Sequence, residues 1–245
     1  MPISFFQSSP IYTINYPALF DFLNSQIIFK SYKAQKDYLC DWIDYLQYLD
    51  HKITSHFLSG GSFPNIEVSR NQRTEIFEAA FVCEDGVIRI HFAISKLLLL
   101  LDDELTDEDI SYEAISSFAS TNSVVAWIPP STALSDDLHK SDPILIAQYP
   151  VGKYKFFVID GNHRLGYSIN NNYEQIPVIT LNPTLLLKKD VFASKFDEAL
   201  YILLLEANGF YLKTRERGIA GFFYSSKALK TSSYLYTKNL SNIGQ

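Results

Sequence analysis

"YKFFVIDGNHRLGYSINNNYEQIPVITL", residues Tyr154 to Leu181, contains the turn from which the fold is read. A strand-like run rich in aromatic and β-branched residues stops at Asp160-Gly161, and His163 and Arg164 follow at once. A short polar segment with helical spacing comes next, and "IPVITL" then reads as a second strand. If the first strand ends at Ile159 or Asp160, Gly161 stands at a strand-to-helix turn. There the missing Cβ permits an unusual backbone angle or the close approach of a ligand. The helix then starts near Asn162. Its first backbone amides have no partner inside the helix and carry the positive end of its dipole, so they suit a phosphate or carboxylate. Arg164 can grip a phosphate with two parallel hydrogen bonds, and His163 can add a donor or move a proton near neutral pH. Cations at a helix N-terminus are unfavourable by a few tenths up to about 1 kcal/mol each. Two of them side by side are accounted for by a bound anion, or by Asp160 pairing with Arg164 across the turn while His163 only packs.

Upstream, "SVVAWIP" from Ser123 and "ILIAQYP" from Ile144 are strand-like, and Val151-Gly152-Lys153 makes a turn into "YKFFVID". Short strands with one embedded helix and a return strand form a compact α/β unit. Residues 17–57 carry apolar side chains at spacings of three and four behind Pro17, which predicts two or three helices. "SGGSFPN", Ser59 to Asn65, is a loop, and "DGVIRIHFAI" is a hairpin turn into a strand. The segment before that hairpin, "EVSRNQRTEIFEAAFVC", fits helix or strand. "SKLLLLLDDELTDEDISYEAISSFAS" reads as helical segments with a fresh start near Thr106, where acids occupy the first turn. "DVFASKFDEALYILLLEANG" predicts a helix ending at Asn208-Gly209. The expected architecture is α+β: a mostly helical region 1–120, a mixed-sheet core over 121–185, and a helical extension 186–245 packed on the core.

With 245 residues, 47% hydrophobic, the chain has ample material for a core. A formal net charge of −6 disfavours a protein that coats nucleic acid, since that affinity rests on Lys and Arg neutralising phosphates. Cys40 and Cys83 form no CxxC pair and are expected as buried thiols in a reducing compartment. The longest aliphatic run, Leu97 to Leu101, is far shorter than the ~20 residues that span a bilayer. The N-terminal stretch lacks the pattern of a signal peptide. A soluble, cytoplasmic protein with no membrane partner is expected.

The order of strand, "DGNHR", short helix and "IPVITL", preceded by "DPILIAQYPVGKYKFFVID", resembles the ParB/sulfiredoxin-like superfamily over roughly Ser123 to Leu181. In that superfamily a Gly-x-(His/Arg)-Arg element lies between a strand and a helix. Sulfiredoxins carry their catalytic Cys at the position matching Asn162, and Asn cannot form the sulfur-linked intermediate, so that activity is not expected. Partition-type ParB proteins bind CTP with a Gly-Glu-Arg-Arg version followed by a helix-turn-helix segment, and no such segment is evident downstream. The branch that resembles free-serine kinases has Asp-Gly-x-His-Arg, which Asp160, Gly161, His163 and Arg164 match.

The resemblance implies ATP/ADP or CTP bound with Mg²⁺, its phosphates on Gly161, Asn162, His163 and Arg164. His163 would be phosphate ligand or proton-transfer group, and Asp160 would orient His163 or hold the metal. Phosphoryl transfer to a small hydroxyl acceptor needs mainly positioning and charge neutralisation. Asp136 or Asp137 is the nearest candidate for the acid after the first core strand. The alternatives are a DNA-associated ParB-like nuclease or regulatory binding module, and a catalytically inactive interaction domain.

Other polar residues have plainer readings. The acids Asp102 to Asp109 form a solvated face and helix start rather than a calcium loop, whose alternating Asp and Gly they lack. His139 is read as a surface residue, and His91 as a core or edge histidine. His51 and His56 are five apart and face different sides of a helix. "TRERG", Thr214 to Gly218, is a solvated turn or an additional phosphate or nucleic-acid contact.

Overall fold

The computed structural model describes residues 3–4, 14–59, 76–83, 86–98, 106–130, 142–151, 154–188 and 191–216. The chain divides into two compact units: Met1–Pro64 with Ala80–Ile90 and Ser194–Gln245, and Asn65–Ala79 with His91–Ala193. Helices and mixed sheet together make the α+β class expected. Among the described residues, no helix is long and apolar enough to cross a membrane.

The first unit is built on α1 (Tyr16–Ser25), α2 (Tyr32–Leu58) and α7 (Lys195–Glu216). Pro17 begins α1 as its sequence position predicts, and Asn15 Oδ1 accepts from the Ala18 amide at 3.1 Å. Tyr38, Leu39, Trp42 and Leu46 recur at three- and four-residue spacing on α2, and all are fully buried. Phe210 of α7 packs 5.1 Å from the ring of Phe29 and 5.9 Å from that of Tyr38. Glu206 Oε1 accepts from Tyr38 Oη at 2.8 Å and from Trp42 Nε1 at 3.4 Å, so the polar tips of two core aromatics share one carboxylate. Cys40 lies on the outward side of α2 and is exposed, against the expectation of a buried thiol.

Two helical expectations are corrected. α7 does not end at Asn208-Gly209; it runs on to Glu216. Phe210 and Thr214 are buried on the face that carries Ala207, and Thr214 Oγ1 donates to Ile28 O at 2.8 Å. A mid-helix glycine costs about 1 kcal/mol, less than the roughly 1.5–3 kcal/mol from burying a phenylalanine. The start is also later than predicted, at Lys195, because Ser194 caps it and accepts from the Asp197 amide at 3.1 Å. The second correction is at Ile110–Ala114, which forms strand β4 rather than helix. Its residues are mostly exposed, and its order comes from an antiparallel ladder on β8 (Gln175–Leu181), Ile110 opposite Ile179 and Ala114 opposite Gln175. Just before it, Thr106 and Asp109 close a short 3₁₀ turn, with Asp109 Oδ2 accepting from the Thr106 amide at 3.0 Å.

β2 (Ile76–Cys83) and β3 (Gly86–Ala93) lie in a three-stranded sheet of order β1-β3-β2, with β1 (Ile3–Ser4) parallel to β3. Residues 94–98 are helical, α3.

The second unit holds the five-stranded sheet, in the order β4-β8-β6-β7-β5. The strands besides β4 are β5 (Val125–Ala126), β6 (Ile144–Gln148), β7 (Phe156–Asp160) and β8 (Gln175–Leu181). β6 and β7 are antiparallel neighbours, α5 (Asn162–Asn170) follows β7, and β8 returns parallel to β6. Between β4 and β5 the chain forms the single turn α4 (Ser116–Ala119), and after β8 the short α6 (Pro183–Lys188). β4 is therefore a strand of this sheet although it lies before residue 121, where the core was expected to begin. Ile144, Ile146, Val158, Ile176 and Val178 cluster with Leu165 of α5. Phe157 packs 5.7 Å from the ring of Phe92, which lies 5.0 Å from that of Phe192. Cover on both faces explains why "ILIA" and "FFVI" are continuous apolar runs without polar alternation.

Candidate functional site

The β7-to-α5 junction falls where the sequence puts it. β7 ends at Asp160, Gly161 adopts φ 93° and ψ 16° in the left-handed region, and α5 begins at Asn162. The first helical bond runs from the Leu165 amide to Gly161 O at 2.9 Å. The amides of Asn162, His163 and Arg164 precede it, and among the described residues no side-chain cap is formed at this helix end.

The glycine has an internal reason. A Cβ at position 161 would lie 2.6 Å from Ile144 Cγ2 and 3.0 Å from Arg164 Nη2. Positive φ and the close passage of β6 therefore both require glycine here, with or without a ligand.

Asp160 Oδ2 accepts from Arg164 Nη2 at 2.8 Å, and the same nitrogen donates to Pro143 O at 3.1 Å. The ion pair of Asp160 with Arg164 across the turn is formed, while His163 is exposed rather than packed. Arg164 Nε is buried with no hydrogen-bond partner among the described residues. Asn162 Oδ1 accepts from the Ile128 amide at 2.8 Å, tying α5 to the chain that follows β5.

These groups are among those that line a cleft of about 540 Å³. Asp160, Gly161, Asn162, His163 and Arg164 supply its polar lining; Ile76, Phe77, Ile94, Ile128, Pro129 and Pro130 supply apolar wall. The volume falls within the ~300–1,000 Å³ usual for small-molecule sites. Sequence reasoning missed the diproline wall, although Pro129-Pro130 closing the run that begins at Ser123 is a visible sign of a stiff, non-helical segment.

Asp160 is the one carboxylate among the described lining residues. Its Oδ2 faces the Arg164 guanidinium, whose charge opposes a second cation there, so the described groups do not by themselves furnish a magnesium site. No group of three or more His, Cys, Asp or Glu suited to a metal ion occurs among the described residues.

Asp136, Asp137 and His139 lie outside the described residues, as do Asp102 to Glu104. His51 and His56 are both exposed on α2. His91 Nε2 lies 3.2 Å from Glu78 Oε2. Of "TRERG", Thr214 is a buried anchor and Arg215 Nη1 donates to Tyr211 Oη at 2.8 Å, while Arg217 and Gly218 lie outside the described residues. No family model, curated protein or solved structure matches this chain.

Proposed function

We propose that this chain binds a nucleotide through a ParB/sulfiredoxin-like core in its second unit, with the phosphates over the amino end of α5. The observation that carries this reading is the start of α5, without a side-chain cap among the described residues, beside exposed His163 in a cleft whose other described lining residues are apolar. Three backbone amides and the dipole favour an anion at that end, and the apolar walls suit a nucleobase. The succession of hairpin, tight turn, helix and a strand returning parallel to the first supports the superfamily resemblance.

Of ATP/ADP and CTP, the cleft takes either. Magnesium enters as the counterion of the phosphates and is held chiefly by them. Among the described lining residues, His163 is the group placed to contact the terminal phosphate. In transfer to a small hydroxyl acceptor it accepts the hydroxyl proton as the acceptor oxygen bonds to phosphorus and the bridging P–O bond breaks. Arg164 acts through Asp160 and Pro143, fixing the turn from which the amides project.

Calorimetric titration of ATP, ADP, CTP and GTP, with and without Mg²⁺, tests the reading on wild type and His163→Ala. At least one nucleotide is expected to bind wild type, and His163→Ala to bind it about ten- to a hundredfold more weakly, the scale of one charge-assisted hydrogen bond. Binding of no nucleotide by wild type, or equal binding by both proteins, overturns the assignment.

A further inference from the structure

We propose that the Asn162 side chain has a positioning role, setting how the cleft receives the nucleoside part of its ligand, and is not itself a contact to the phosphates; this rests on the nucleotide reading above. After β5 the chain through Ile128, Pro129 and Pro130 has no regular structure, and Ile128 is half exposed. Proline has no amide hydrogen, so Ile128 carries the only backbone donor of these three residues. That donor is used on Asn162 Oδ1 at 2.8 Å. One residue upstream, Trp127 Nε1 donates to Phe118 O at 3.3 Å, which fixes the near end of the segment. Asn162 holds the next residue, Ile128, at the amino end of α5, and the diproline wall continues from that anchored point.

The same hydrogen bond turns Asn162 Oδ1 toward Ile128, so the first residue of α5 contributes its backbone amide to an anion and its side chain to the wall. Two parts of a nucleotide are thus served by different atoms of one residue. Phosphates meet the amides of α5; a planar base meets Pro129, Pro130 and Phe77. Loss of the side chain frees the wall without altering the amides, and a ligand that lacks a base does not register the change.

The experiment compares inorganic tripolyphosphate with the preferred nucleoside triphosphate, each displacing a fluorescent analogue of that nucleotide, on wild type, Asn162→Ala and Asn162→Asp. The quantity read is the preference for nucleotide over tripolyphosphate. Asn162→Ala is expected to reduce this preference about three- to tenfold, the scale of one neutral hydrogen bond, with tripolyphosphate affinity unchanged within about twofold. Asn162→Asp keeps an acceptor for the Ile128 amide. Its added charge weakens both ligands alike, so the preference returns toward wild type. Equal weakening of both ligands by Asn162→Ala would make Asn162 a phosphate contact, and an unchanged preference would leave the wall independent of it; either result overturns the proposal. A wild-type protein that binds no nucleotide fails the underlying reading instead, a separate and recognisable outcome.

Discussion

Arg164 Nη2 lies 2.8 Å from Asp160 Oδ2, four residues back in the chain, with the two side chains only 19% and 21% exposed. The arginine that the motif assigns to phosphate is also the tie between the end of β7, the first turn of α5 and Pro143 at the start of β6. Removing either partner leaves the other charge poorly compensated in a mostly buried position. Arg164→Ala and Asp160→Ala are each expected to lower unfolding stability by about 1–3 kcal/mol, a range reduced from that of fully buried pairs for the remaining solvent access. The double variant should lose clearly less than the sum of the two. Urea unfolding of the four proteins measures the coupling, and strict additivity would show that the pair contributes nothing. A binding assay on Arg164→Ala alone mixes this structural loss with any loss of ligand contact, which makes His163 the cleaner probe.

Gly161→Ala is expected to destabilise by roughly 2–4 kcal/mol, combining the strain of positive φ with overpacking. The added methyl would lie 2.6 Å from Ile144 Cγ2. Ile144→Ala removes that atom and leaves a cavity of its own. Combining the two substitutions should therefore cost less than their separate effects summed. Thermal or denaturant melts of the single and double variants decide the matter, and a Gly161→Ala protein as stable as wild type would contradict the packing described.

Two phenols in the first unit make stability fall at high pH. Burial is the sole cause that raises the Tyr201 pKa far above the ordinary value. For Tyr16 burial contributes most, followed by its hydrogen bond to Asp50 at 2.8 Å and the charge of that carboxylate. A folded pKa above the unfolded one means that only the unfolded chain ionises near pH ~10. Stability is then fully present below about pH 10 and declines above it, by up to about 1.4 kcal/mol per pH unit for one such phenol. Urea midpoints measured from pH 8 to 11 should show this decline in wild type and a shallower one in Tyr201→Phe. An identical alkaline slope in both would remove Tyr201 as the cause.

The junction at Asp160-Gly161-Asn162 was readable because its causes are local. Only glycine tolerates a left-handed turn at that position, and continuous apolar runs on either side declare buried strands. Pro17 and the spacing of Tyr38, Trp42 and Leu46 fixed α1 and α2 for the same reason. β4 was not readable: "ISYEA" is a strand because β8 offers it a ladder, and nothing within the segment names that partner. The end of α7 was misjudged at Gly209 because the buried places taken by Phe210 and Thr214 are supplied by residues far away in the chain, Phe29 and Ile28 among them.

The sequence by itself determined a strand, a glycine turn and a helix start carrying His163 and Arg164, since backbone sterics and hydrophobic periodicity act over a few residues. It left open which groups of the chain Arg164 and Asn162 bond to. Only the tertiary structure decided these, by bringing Pro143 to Arg164 and Ile128 to Asn162. A side chain's hydrogen-bonding partner is set by the donor or acceptor that the folded chain places within reach, and those two backbone groups come from 21 and 34 residues away.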